Sequence, residues 1–110
     1  MQAAIYLYLI ENSANGRCYV GQSKNADQRA KAHKRTPPAR MKVDAETYHP
    51  YQSYFTMSVL DCVYTKADAD RLEVLLIATY AAQGPDGYNN LPGNLGRSAK
   101  FWFLRNKHII

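Results

Sequence analysis

Three groups of side chains stand where packing alone explains them poorly. Glu73 lies inside Leu72-Glu73-Val74-Leu75-Leu76-Ile77, the most apolar helical stretch of the chain. A carboxylate flanked in this way is costly unless a cation or a metal completes it. Arg29 and His33 stand four residues apart, on one face of a second helix. Tyr6 and Tyr8 are two apart on a strand and share a face, and Tyr19 falls on the strand that returns beside them. Each group also has a plainer reading. Strand tyrosines usually pack, a lone helical histidine usually meets solvent, an arginine in a basic helix meets water or phosphate, and Glu73 can pair across the fold.

Elements that could position these residues follow from the pattern. Ala4 to Ile10 alternates aliphatic and aromatic residues, and Asn15-Gly16 is a turn signal before Arg17-Cys18-Tyr19-Val20-Gly21. Residues 4–21 therefore predict a β-hairpin. A short helix is expected from Ser23 to Arg35, with Asn25 as N-cap and Gln28 as its capping-box partner. Pro37 and Pro38 end it. Residues 39–53 read as a loop or a broken helix. Tyr54 to Tyr64 reads as a third strand, with Phe55, Met57 and Val59 alternating against Thr56 and Ser58. Thr65 and Asp68 form a capping box for a helix from Lys66 to about residue 83, with a stripe of Leu72, Leu75, Leu76 and Thr79 widened by Val74 and Ile77. Gly84-Pro85 stops it, and a last short helix is expected from about Ser98 to Asn106, docking through Phe101, Trp102 and Leu104.

Charge sharpens the functional question. The chain has 110 residues and a net charge of +5, which suits one domain over 1–110. Residues 24–42 carry seven basic side chains against Asp27 alone, whereas residues 44–86 carry seven acids against Lys66 and Arg71. Such segregation is the electrostatic footprint of a polyanion binder, although a merely solvated basic helix gives the same pattern. No apolar run reaches the ~20 residues of a membrane span. The start, Met1-Gln2-Ala3-Ala4, lacks a signal-peptide pattern. Cys18 and Cys62 are not in a CxxC pair, which argues against zinc. The expectation is a reduced, intracellular protein, cytoplasmic or nucleoid-associated, with no membrane partner.

The ordered set of residues resembles the GIY-YIG nuclease family. Tyr6-Leu7-Tyr8 stands for the first motif, and Tyr19-Val20-Gly21 is a close variant of the second. Arg29 follows Gly21 by eight residues, His33 by one further helical turn, Glu73 lies in a later apolar helix, and Gly87-Tyr88-Asn89 closes the series. Ala4-Ile5-Tyr6 is a second register for the first motif, and the spacing to Tyr19 favours Tyr8. The resemblance covers residues 4–91. It implies an α+β (α/β) fold, a small three-stranded, mainly antiparallel sheet flanked by helices.

The resemblance also implies a metal-dependent endonuclease that hydrolyses phosphodiester bonds in nucleic acid, DNA foremost. Glu73 would hold Mg²⁺ or Mn²⁺ with waters and phosphate oxygens. Arg29 would meet the charge of the transition state. Tyr8 would be the general base, His33 would accept or relay the proton, Tyr19 would bind the phosphate or fix the water, and Asn89 would orient the site. Lys24, Lys31, Lys34, Arg35, Arg40 and Lys42 are the candidate phosphate contacts. With no space for an appended recognition domain, cleavage is expected to be structure-directed, weakly specific or guided by a partner protein. Two other readings remain open: a catalytically weak nucleic-acid-binding module of the same fold, and a basic protein-interaction domain.

Overall fold

A computed structural model of the chain describes residues 3–80, 82 and 87–89. Along the chain these form β1 (Ile5–Asn12), β2 (Cys18–Ser23), α1 (Ala26–Arg35), α2 (Lys42–Thr47), α3 (Tyr51–Tyr54), β3 (Phe55–Val63) and α4 (Lys66–Thr79). The strands make one antiparallel sheet in the order β2-β1-β3, with helices on both sides. This is the expected α+β architecture.

The central strand explains its own apolar run. On one face of β1, Tyr8 and Ile10 join Met41, Phe55 and Tyr88 in a buried cluster that Tyr19, Tyr48, Tyr51 and Met57 surround. On the other face, Leu9 packs with Cys18, Val20, Ile77 and Ala82 under α4. Strand alternation sends successive β1 side chains into two different cores, so the strand has no polar side to show.

The hairpin loop is longer than a two-residue turn. β1 runs to Asn12 and β2 starts at Cys18, and Gly16 takes φ of +75° between them. Asn12 and Asn15 use their side-chain oxygens to accept the amides of Ala14 and Arg17, at 2.9 and 3.0 Å. These Asx turns satisfy the loop backbone locally. α1 begins at Ala26 rather than Ser23, and Asn25 caps it by accepting the Gln28 amide at 3.0 Å. The segment 39–53 is the broken helix of the two alternatives, α2 and α3 separated by the cis peptide His49–Pro50.

One expectation about faces holds only in part and one is corrected. The β3 alternation runs through Val59, which pairs with Tyr8 as Met57 pairs with Ile10, and the phase changes just after it. The pairing jumps from Leu7–Asp61 to Tyr8–Val59, and the bulge leaves Leu60 as the extra residue. Leu60 turns to the α4 side, and Val59 is left 52% exposed on the outer strand. The buried stripe of α4 is not Leu72, Leu75, Leu76 and Thr79. Ala69, Glu73 and Ile77 point inward with Val74, while Leu75 is 61% exposed and Thr79 is exposed. The inward stripe repeats every four residues, and its middle member is a carboxylate. Apolar counting rejects that stripe unless a partner waits for Glu73, and the sheet supplies one. The expected stop at Gly84-Pro85 and the last helix at 98–106 lie outside the described residues.

Candidate active site at the edge of the sheet

β2 is an outer strand, and its alternation builds the site on two faces. Tyr19 and Gly21 lie on the face of Tyr8, while Val20 and Gln22 lie on the face of α4. Tyr8 stands directly opposite Gly21 in the register. A Cβ at position 21 would overlap the Tyr8 hydroxyl and Cζ. The missing side chain of the second motif is therefore the space through which the phenol lies across β2.

On that face the phenol meets α1. The Tyr8 hydroxyl and His33 Nε2 are 2.7 Å apart, and both side chains are buried. With the ring proton on Nδ1, the hydroxyl donates and Nε2 accepts. Tyr19 sets its ring edge-on to His33, with centroids 5.3 Å apart, and lies 6.3 Å from the Tyr8 ring. Arg29 shares with His33 a cleft of about 490 Å³ that also takes in Ser23, Gln28 and Arg35. Tyr6 lies on the same strand face, half-buried, opposite Ser23 and Cys62. The structure thus brings Tyr8, not Tyr6, to the histidine.

On the other face Glu73 meets β2 from below. Its Oε2 accepts a short hydrogen bond from the Gln22 amide. The same amide nitrogen donates to Asp70 at 2.9 Å, and the Gln22 carbonyl accepts from Lys66 at 3.0 Å. Gln22 is thus the partner that lets a carboxylate occupy the buried stripe. Nothing titratable marks Gln22 in the sequence. The one signal for it is its parity on β2, which matches Val20 and opposes Gly21.

The electrostatics follow from burial. The Tyr8 phenol is pushed well above its ordinary value, first by burial and then by Tyr19, with Arg29 pulling the other way and Glu73 adding to the rise. Burial also raises Tyr19, reinforced by the Glu73 charge. His33 is lowered, by burial and then by the Arg29 charge, so its imidazole is neutral near pH 7. Burial raises the Glu73 carboxyl above its ordinary value, against the hydrogen bond from Gln22. That Glu73 acts on both phenols places its charge within electrostatic reach of the upper face.

Glu73 suits a hard divalent cation. It is a buried oxygen donor whose hydrogen-bond partner is a neutral amide, and the nearby Lys66 ammonium is paired with Asp70 at 2.9 Å. Among the described residues no group of three or more His, Cys, Asp or Glu side chains converges on one point. Such a site would hold a cation through one carboxylate, with water and phosphate oxygens filling the other positions.

The closing motif fixes the edge strand. Asn89 Nδ2 donates to the Val20 carbonyl and Asn89 Oδ1 accepts the Val20 amide, both at 2.9 Å. The side-chain amide pairs with the β2 backbone as a neighbouring strand would. Tyr88 is buried, its amide donating to the Cys18 carbonyl at 2.9 Å and its hydroxyl to Asp44 at 2.6 Å. A Cβ at Gly87 would strike the Ala82 backbone. Arg40, an expected phosphate contact, donates from Nη1 to the Asn89 carbonyl at 2.8 Å and so also braces this segment. Lys24, Lys31, Lys34, Arg35 and Lys42 are exposed. Arg35 flanks the Arg29 cleft, whereas Lys31 and Lys34 line a separate groove with Tyr51 and Met57. His49 is exposed between α2 and α3.

Comparison with known proteins identifies the family and the fold. A family model described as the GIY-YIG catalytic domain matches residues 4–89. Among solved structures, the catalytic domain of the intron endonuclease I-TevI, in a Glu-to-Ala mutant, superposes with a TM-score of 0.71. The two share 20% identity, and the match covers 84% of this chain and 99% of that one. A comparison with curated proteins found no match.

Proposed function

The chain belongs to the GIY-YIG family, whose domain is a nuclease fold, and from that premise we propose that it is a metal-dependent endonuclease acting on nucleic acid, DNA foremost. The observation that carries the reading is the buried Tyr8–His33 pair at 2.7 Å, with Arg29 beside it and Glu73 bonded to Gln22 on the opposite face of the sheet.

The proton path follows from the shifts. A phenol in water is about one part in a thousand ionised at neutral pH, and here burial makes ionisation harder still. Tyr8 works best without standing free as a phenolate. Its hydroxyl hands a proton to neutral His33 Nε2 while its oxygen takes one from the attacking water. Arg29 offers its planar fork to the phosphate oxygens as their charge grows. Tyr19 holds the rim between them. Glu73 would hold Mg²⁺ or Mn²⁺, which supplies Lewis acidity toward the phosphate and a more acidic water. Lys24, Lys31, Lys34, Arg35 and Lys42 supply affinity independent of sequence.

Labelled duplex, single-strand, flap and hairpin substrates, each with Mg²⁺ and with chelator, test this reading. Cleavage of at least one of them, in Mg²⁺ only, is the expected result. Binding without cleavage across the set would leave a nucleic-acid-binding module, and binding insensitive to salt would leave a protein-interaction domain.

A further inference from the structure

A second, larger cleft opens at the end of the sheet where β2 leaves it and α4 begins. It measures about 780 Å³, within the usual range of ligand sites, and Ile5, Gln22, Ser23, Lys24, Tyr64 and Lys66 line it. Two of these residues connect it to the candidate active site. Gln22 holds Glu73 with its amide, and Ser23 also lines the cleft of Arg29 and His33. The two clefts therefore share a wall at the end of β2.

The chemistry of the larger cleft differs from that of its neighbour. Tyr64 offers an aromatic ring that is 57% exposed. Lys66 is committed to Asp70 and Gln22. Lys24 makes no ion pair among the described residues, so its ammonium is the cation available in the cleft. An exposed ring beside one cation, in a cleft that shares Ser23 with the candidate active site, is what a stacked nucleotide needs. Every base has a π-face, so such a subsite reads no sequence. A base inside a paired duplex cannot present that face.

We propose that this cleft takes one unpaired nucleotide next to the scissile phosphate, its base stacked on Tyr64 and its phosphate facing Lys24. The substrate class is then a nucleic acid with a single-stranded or flapped nucleotide at the cut. This rests on the endonuclease reading and narrows it.

Tyr64→Ala and Tyr64→Phe, each compared with the unaltered chain, test it. Binding is measured in chelator and cleavage in Mg²⁺, on single-strand, flap and fully paired oligonucleotides. Tyr64→Ala should weaken binding and cleavage of the unpaired substrates by about 5- to 150-fold and leave the duplex within about twofold. Tyr64→Phe keeps the ring and should behave like the unaltered chain. An abasic site moved along the strand should cost affinity at one position, and Tyr64→Ala should abolish that dependence. Equal loss on duplex and single strand, or unchanged behaviour of Tyr64→Ala in a chain that cuts, would overturn the cleft alone. An unaltered chain that binds single strands through Tyr64 but cuts nothing would overturn the endonuclease reading and retain the cleft. Binding of no nucleic acid would overturn both.

Discussion

Tyr8→Phe removes one oxygen atom from the centre of the candidate site and leaves the ring. The ring is 1% exposed, in a cluster with Ile10, Met41, Phe55 and Tyr88, so the packing on the sheet is retained. What is lost is the hydrogen bond at 2.7 Å to His33, itself 8% exposed. A buried nitrogen left without its partner costs about 1–3 kcal/mol. For a domain of this size each kcal/mol lowers Tm by about 4–8 °C, so the variant should melt measurably lower and still be folded at 25 °C. The chemical loss should be larger, because the path from water to His33 is cut. Removal of a positioned proton-transfer group costs roughly 10²- to 10⁴-fold in rate. The assay is single-turnover cleavage with enzyme in excess and Mg²⁺, on whichever labelled substrate the unaltered chain cuts, with affinity measured separately in chelator. Affinity should stay within about threefold. Because His33 is lowered from its ordinary value, the unaltered rate should rise as His33 loses its proton, below about pH 6.5, and level off by pH 7. Tyr6→Phe, on a half-buried neighbour opposite Ser23, should leave the rate within a few-fold. Normal cleavage by Tyr8→Phe, or a large loss confined to Tyr6→Phe, would refute the proton path and move the first motif to Ala4-Ile5-Tyr6.

The other expectations concern the second half of the site and the surface. Glu73→Gln should abolish cleavage with affinity within a few-fold and should also raise Tm at pH 7. The buried carboxyl keeps its proton more tightly than the unfolded chain does, so its stabilising contribution is full below about pH 4.5 and is lost as pH rises through the raised value. A melting curve lower than that of the unaltered chain at pH 7 would show that Glu73 is held by more than Gln22. Gly21→Ala should cost about 1–3 kcal/mol by overpacking and reduce cleavage as far as Tyr8→Phe does, since the added methyl takes the place of the phenol. Cleavage unchanged by that methyl would mean the phenol acts from elsewhere. Alanine at Lys31, Lys34 and Arg35 together should lower the slope of log affinity against log salt by up to about 3 in magnitude, and an unchanged slope would place that flank of α1 away from the nucleic acid.

What the sequence made legible is governed by local physics. The hairpin, the capped helices at Asn25 and Thr65 and the broken segment at 39–53 depend on turn chemistry, capping and proline, all of which act within a few residues. Parity and helical spacing assign Tyr8 and Tyr19 to strand faces and His33 to a helix face, the family resemblance singles them out as a site, and the structure shows that the faces meet. Two features were hidden for the same reason. The bulge at Leu60 changes the phase of β3 midway, and only pairing with β1 reveals it. The inward stripe of α4 runs through Glu73, and apolar counting prefers Leu75 because it cannot see Gln22 waiting on β2. A glutamine has no charge or reactivity to announce it, yet it supplies the partner of the one carboxylate in the buried face of α4.

That dependence bears on why the second motif lies on an outer strand, beside the central strand that carries Tyr8. A strand presents alternate residues to opposite faces, so a chain of four residues, Tyr19-Val20-Gly21-Gln22, can address two helices at once. Gly21 admits the phenol that reaches His33 on α1, and Gln22 receives the carboxylate of α4. On a central strand the two halves would be walled apart by neighbouring strands. On an outer strand they are separated by the width of one backbone. The cost of that position is an unpaired backbone edge, open to fraying and to pairing with other chains. Asn89 covers that liability where it matters most, closing the amide and carbonyl of Val20 with a single side chain. The asparagine of the closing motif thus ties down the strand that faces both Tyr8 and Glu73.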